Sequence, residues 1–180
     1  MSQRRYVLLD RDGTLIAERN YLARVEDIEL LPNTIVGMKR LAQLDLGLAV
    51  VTNQSGIARG YFGWPEVHAI HEHLTRLFAD NGVSLSGFYV CPHGPDETCE
   101  CRKPEPGLAR AAAEELNFDA AAAFVIGDKS CDIDLGKRLG ATTILVRTGY
   151  GEEYAATTDA DYIAADLLEA ADIIATTLKS

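Results

Sequence analysis

The chain has 180 residues, 47% hydrophobic and 24% charged, the balance of one globular domain over residues 1–180 with a substantial core. A net charge of −10 argues against a nucleic-acid backbone or an anionic membrane surface as main partner, yet leaves a small phosphorylated substrate open, because local charge decides that. No apolar run approaches the ~18–20 residues of a membrane span, and the polar lead-in Met1–Arg5 has no signal-peptide core, so a cytoplasmic protein with reduced cysteines is expected.

Tyr6–Leu9 has the composition of a strand buried on both faces. It ends in Asp10 and Asp12, spaced i and i+2, then Gly13, where the backbone can turn away. Period-2 alternation through Asp12 points both carboxylates the same way. Ile16–Leu31 mixes charges with Tyr21, Leu22, Val25 and Ile28 and reads as a loop or β-flap. Pro32-Asn33-Thr34 opens a helix to Leu44, with Ile35, Met38, Leu41 and Ala42 on one face. Leu48–Val51 is a second buried strand, landing on Thr52-Asn53-Gln54-Ser55-Gly56.

The loop Ile57–Gly63 carries Arg59, Tyr61 and Phe62, and a helix follows from Pro65 to Ala79 with a core stripe of Val67, Ile70, Leu74, Leu77 and Phe78. His68, His71 and His73 lie along it. Only His68 and His71 share a face and no acid or cysteine motif joins them, so all three read as solvated histidines far from the strand ends. Phe88–Val90 is the third strand, running into Cys91-Pro92-His93 and then Cys99-Glu100-Cys101-Arg102-Lys103-Pro104. Next come a helix from Pro106 to Leu116, a strand Ala123–Ile126 ending in Gly127-Asp128-Lys129, and a helix from Ser130 or Cys131 to Leu139 capped by Gly140. Thr142–Val146 is the fifth strand, Arg147–Thr158 a loop, Tyr162-Ile163 a short edge strand and Asp166–Leu178 a closing helix. The alternation implies a three-layer, Rossmann-like α/β domain with a mostly parallel sheet.

Parallel strands put Asp10/Asp12, Thr52/Asn53, Arg102/Lys103 and Asp128/Lys129 on one edge of that sheet. Three converging carboxylates repel one another unless a divalent cation and a lysine offset them. Oxygen ligands with vacant positions suit Mg2+, which keeps waters and engages substrate phosphate. Thr52 offers a hydroxyl to a phosphoryl oxygen, and Lys103 a point charge for a nucleophilic carboxylate and the phosphoryl group together. A second constellation is Cys91-x-His93-x5-Cys99-x-Cys101. Three thiolates and an imidazole satisfy a tetrahedral Zn2+ with no open position, so this metal is structural and sets the aim of Arg102 and Lys103. Cys131 lies outside the pattern and reads as a packing residue.

The ordered set Asp10-Arg11-Asp12-Gly13-Thr14, Thr52, Lys103 and Gly127-Asp128 resembles the haloacid dehalogenase-like (HAD) superfamily of phosphatases over essentially the whole chain. The resemblance implies that Asp10 attacks phosphorus to form an aspartyl-phosphate. Asp12 then protonates the leaving oxygen and later accepts a proton from the hydrolytic water. It also implies Mg2+ bound by the Asp10 carboxylate, the Asp12 carbonyl and Asp128. An acid at Asp12 speaks against the dehalogenase and P-type ATPase branches.

The run Thr52–Gly60, the cysteine loop, Gly127-Asp128-Lys129 and Val146-Arg147-Thr148-Gly149 look like the heptose 1,7-bisphosphate 7-phosphatases. Histidinol-phosphate phosphatases share the zinc loop and catalytic motifs and stand as the alternative. The heptose resemblance implies hydrolysis at C7 on the way to activated heptose for lipopolysaccharide or other surface polysaccharide. It implies substrate contacts at Glu18, Arg19, Asn20, Tyr21, Thr52, Asn53, Gln54, Ser55, Arg102, Lys103 and Lys129. Arg59, on the opposing wall, is added as a holder of the distal C1 phosphate. Leu15-Ile16 departs from the family's apolar-then-asparagine pattern. Asp12 to Asn33 and Thr52 to Phe88 leave room only for loops and one helix, so a capless monomer is expected, walled by the flap, the Gln54–Gly63 loop and the zinc loop.

Overall fold

The computed structural model describes residues 3–179; Met1 and Ser2 of the polar lead-in, and Ser180, lie outside the described residues. The strands are β1 (Tyr6–Leu9), β2 (Gly47–Asn53), β3 (Gly87–Cys91), β4 (Phe124–Gly127), β5 (Thr142–Val146) and β6 (Tyr162–Ala164). They form one six-stranded sheet in the order β3-β2-β1-β4-β5-β6, with every pairing parallel. Between them run α1 (Thr34–Ala42), α2 (Trp64–Asp80), α3 (Gly107–Glu115), α4 (Ser130–Leu139), α5 (Gly151–Tyr154) and α6 (Leu167–Thr177).

Alternation along the strands divides the interior into two cores. Val7, Leu9, Val50, Ile126 and Ile144 face Met38 and Leu41 of α1, Ile70, Leu74 and Phe78 of α2, and Leu167 and Ile174 of α6. Tyr6, Leu8, Ala49, Val51 and Val125 face the other way, onto Ala109 and Ala112 of α3 and Leu135 of α4. Each fully buried Leu or Phe removed from water contributes roughly 1.5–3 kcal/mol, enough to fix which face each helix covers.

The expected elements are present, with differences that have local causes. Helix α1 starts only at Thr34 because Asn33 sits in the left-handed region at φ +63°, where a helix cannot begin. The loop after β5 holds the short turn α5. The segment read as a loop or flap contains an antiparallel bridge between Ile16 and Leu30 and a 3₁₀ turn at Val25–Asp27. Among the described residues no helix is long and apolar enough to cross a membrane.

Strand order reverses at β1, which has β2 on one side and β4 on the other. In an open parallel sheet the crevice at the carboxyl end of such a strand is where ligands bind. Asp10 is the first residue past that end.

Candidate active site

Register brings the chemistry to one point. Leu9 pairs with Val50 on one side and Ile126 on the other, so Asp10 leaves β1 between the ends of β2 and β4. Its N–H still donates to the Ile126 carbonyl at 2.9 Å, which keeps it extended. The buried Asp10 carboxylate accepts from Lys103 Nζ at 2.6 Å. That ammonium also donates to the Val51 carbonyl at 2.7 Å and lies 2.7 Å from Asp132 Oδ1. Lys103 is aimed by Asn53, whose amide accepts from the Lys103 N–H at 3.0 Å and donates to its carbonyl at 3.3 Å. Burial works against the lysine's charge, but Asp10 and Asp132 hold its pKa above the ordinary lysine value. Burial pushes Asp10 up to about 6 even with Lys103 beside it, which leaves it mostly ionised at neutral pH.

Asp12 lines the same cavity but is held separately. Arg11 grips it from the side, Nε at 3.0 Å from Oδ2 and Nη2 at 3.1 Å from Oδ1, while Gln54 Nε2 donates to Oδ2 at 2.9 Å. Against the upward push of burial, the Arg11 guanidinium and these hydrogen bonds hold the Asp12 carboxyl below the usual carboxylate range. The same Gln54 amide donates to Thr52 Oγ1 at 2.8 Å. Thr52 is thus buried behind the cavity, beneath Gln54, and is not part of its lining.

Asp128 lies fully buried beneath the acidic floor. Its Oδ2 accepts from the Tyr150 N–H at 2.9 Å, whereas Oδ1 is buried with no hydrogen-bond partner. Burial, with Asp10 and Asp132 nearby, pushes its pKa up to about 8. Gly13 (φ +88°) and Gly149 (φ +56°) close over it, and a Cβ on either would overlap Asp128 Oδ2. Carboxylate oxygens of Asp10, Asp128 and Asp132 lie within 4.8 Å of one another. An orphaned buried carboxylate oxygen among three acids fits a hard divalent cation of the magnesium kind.

The cavity holds about 250 Å³. Asn20, Tyr21 and Leu22 wall it from the flap, Asn53, Gln54, Ser55 and Gly56 from the loop after β2, and Arg102 from the cysteine loop. Glu18 and Lys129 close the remaining side, paired at 3.0 Å, with Lys129 Nζ 4.8 Å from the Tyr150 ring. Arg19 instead pairs with Glu29, and exposed Arg59 lies 5.8 Å over the Tyr21 ring; neither lines the cavity.

Cys91, His93, Cys99 and Cys101 converge beside this wall. Cys91 Sγ is 3.2 Å from Cys101 Sγ, 3.9 Å from Cys99 Sγ and 3.6 Å from His93 Nδ1, and His93 Nδ1 is 3.1 Å from Cys101 Sγ. A tetrahedron with zinc–sulfur bonds of ~2.3 Å has edges of about 3.8 Å, so this donor set suits zinc. The loop also aims Arg102, whose N–H donates to Cys99 Sγ at 3.4 Å and whose Nη1 donates to the His93 carbonyl at 3.1 Å.

The reading of all three α2 histidines as solvated is corrected at His71. It is 7% exposed, its ring stacks on Phe88 at 4.0 Å and 11°, and its Nε2 sits 3.0 Å from Arg11 Nη1. The Arg11 side chain spans from the end of β1 to α2, so the helix is not remote from the site.

A HAD-hydrolase-like family model matches residues 100–170. A D-glycero-beta-D-manno-heptose-1,7-bisphosphate 7-phosphatase of Yersinia pestis is 41% identical over 152 residues, covering 79% of this chain and 80% of that protein. The Pseudomonas aeruginosa protein of the same name is 36% identical, covering 82% and 84%. The chain belongs to the heptose-1,7-bisphosphate 7-phosphatase family. The structure of the B. bronchiseptica D,D-heptose 1,7-bisphosphate phosphatase, complexed with magnesium and phosphate, superposes with a TM-score of 0.89 at 32% identity, covering 96% of this chain and 99% of that one. An L-2-haloacid dehalogenase at 15% identity and a TM-score of 0.64 shares the fold alone.

Set among heptose bisphosphate phosphatases, the site contains residues that the sequence reading passed over. Asp132 lies in the first turn of α4, four residues after Asp128, where its carboxylate reaches Lys103 and also accepts from the Lys129 N–H at 3.1 Å. The repeat of an acid at that spacing was a legible signal. Cys131, read from the sequence as a packing residue, lines the cavity, as does Tyr150, which nothing in its sequence context marks.

Proposed function

We propose that this chain hydrolyses the C7 phosphate of D-glycero-β-D-manno-heptose 1,7-bisphosphate through an aspartyl-phosphate on Asp10, leaving the 1-phosphate. The carrying observation is the buried Asp10 carboxylate fixed 2.6 Å from Lys103 on the cavity floor, beside a separately held Asp12. The choice of sugar is supported by relatives of that name at 36–41% identity over about four fifths of both chains.

In this reading Asp10 Oδ attacks phosphorus while Lys103 neutralises the nucleophile and the incoming phosphoryl oxygens. Asp12 gives its proton to the C7 oxygen and takes one back from the water that cleaves the aspartyl-phosphate. Arg11 and Gln54 keep Asp12 aimed but ionised in the resting site, and it takes the proton it later donates from the phosphate monoanion of the incoming ester. The Asp10 and Asp128 carboxylates and the Asp12 carbonyl would hold Mg2+, with Asp132 tying Lys103 alongside. Bound there, the ion supplies Lewis-acid neutralisation of phosphoryl charge. Cys91, His93, Cys99 and Cys101 would hold a structural Zn2+ that keeps Arg102 on the wall.

Arg102 then takes the distal C1 phosphate, a charge-assisted contact worth roughly 1.5–3 kcal/mol, or about one to two decades of affinity. The test is phosphate release from the β and α anomers of heptose 1,7-bisphosphate, heptose 7-phosphate and histidinol phosphate. Highest kcat/KM on the β bisphosphate is expected, and Arg102→Ala should erase its advantage over the monophosphate. Equal or better turnover of histidinol phosphate overturns the substrate assignment.

A further inference from the structure

Arg11 is 1% exposed, and among the described residues its guanidinium meets Asp12 and His71. Nε and Nη2 are spent on the two oxygens of Asp12, and Nη1 on His71 Nε2 at 3.0 Å. Arginine only donates, so His71 Nε2 is the unprotonated, accepting nitrogen of a neutral ring. The ring cannot drift, because Phe88 stacks flat against it at 4.0 Å.

We infer that His71 is a positioning residue: its Nε2 holds the Arg11 guanidinium from behind and through it fixes the direction of the Asp12 carboxylate. Without an acceptor there, a buried donor is left unsatisfied, and the arginine rotates to find one. Its two-point grip on Asp12 is lost with that rotation. Gln54 reaches only Asp12 Oδ2 and cannot by itself define the carboxylate plane.

The inference rests on the phosphatase reading above. In the first half-reaction the Asp10 oxygen–phosphorus bond forms, the ester P–O bond breaks with its electron pair on the leaving oxygen, and the Asp12 proton goes to that oxygen. A sugar alkoxide needs that proton; a nitrophenolate leaves without it. General acid catalysis is worth about 10²–10⁴-fold. Misdirecting Asp12 therefore penalises the sugar ester selectively.

The experiment measures kcat/KM of the metal-loaded protein on heptose 1,7-bisphosphate and on p-nitrophenyl phosphate for wild type, His71→Leu and His71→Gln. His71 borders a surface groove shared with Trp64, His68 and Phe88, so the apolar replacement leaves no sealed void. His71→Leu should lose at least about tenfold on the bisphosphate, within the range of a general acid, and less than about twofold on the aryl ester. His71→Gln, whose Oε1 restores an acceptor where Nε2 stood, should recover most of the loss. Equal loss on both esters, or no recovery with glutamine, overturns the role of His71 and leaves the phosphatase reading standing. A wild-type protein that hydrolyses neither ester overturns that reading and this inference with it.

Discussion

Gly149→Ala separates the strain of a left-handed backbone from the crowding of the buried Asp128 carboxylate. Gly149 has φ +56°, and an alanine Cβ there would overlap Asp128 Oδ2 and sit 2.6 Å from Gly13 Cα. The backbone alone costs about 1–2 kcal/mol. Clearing the overlap moves Asp128 away from the Tyr150 N–H, now 2.9 Å distant, and forfeits a hydrogen bond of roughly 0.5–1.5 kcal/mol. The sum is about 1.5–3.5 kcal/mol, or roughly 3–14 °C in Tm at ~2–4 °C per kcal/mol for a domain of this size. Gly60→Ala is the control, because Gly60 has φ +70° with nothing within 4 Å of an added Cβ. It should show the backbone cost alone. Thermal unfolding gives the stability difference, and titration calorimetry with Mg2+ should show affinity falling about tenfold or more for Gly149→Ala and unchanged for Gly60→Ala. If both variants bind Mg2+ as the wild type does, Asp128 does not hold the ion and the packing argument fails.

Asp10→Asn should fold as the wild type does and release no phosphate in steady state, whereas Asp12→Asn should retain slow labelling of Asp10 with little turnover; mass spectrometry of the trapped enzyme distinguishes them. Metal analysis should find about one zinc per chain that survives mild chelation, and Cys99→Ser should lose it and lower the affinity for the bisphosphate before Mg2+ binding changes. His71 contributes a pH signature to stability. Burial and Arg11 lower its pKa from 6.5 to about 3, so the unfolded chain takes up a proton below pH 6.5 that the folded one refuses. Stability relative to His71→Gln should therefore be level above pH 7 and fall with decreasing pH, by about 2 kcal/mol at pH 5, in urea titrations of both proteins. A pH-independent difference between them would mean that the ring titrates normally.

The order and character of the strands, the acids and lysine at their ends, and the four zinc-type ligands were legible in the sequence, because each is a local statement. A buried parallel strand has to be an apolar run, a chain turning at its end needs a Gly13, and thiolates at short spacing converge without help from the rest of the chain. What the sequence could not say is which neighbours a side chain meets across the fold. Asp132 reaches Lys103 because α4 starts just past the carboxyl end of β4, the strand beside β1, and Thr52 lies behind Gln54 instead of in the cavity because the Gln54 amide covers its hydroxyl. Helical periodicity placed His68 and His71 on one face of α2 but was blind to what that face meets. Only the tertiary structure seated one of them against Phe88 and the guanidinium of Arg11 and left the other exposed, since burial and pairing are decided by packing between elements distant in sequence.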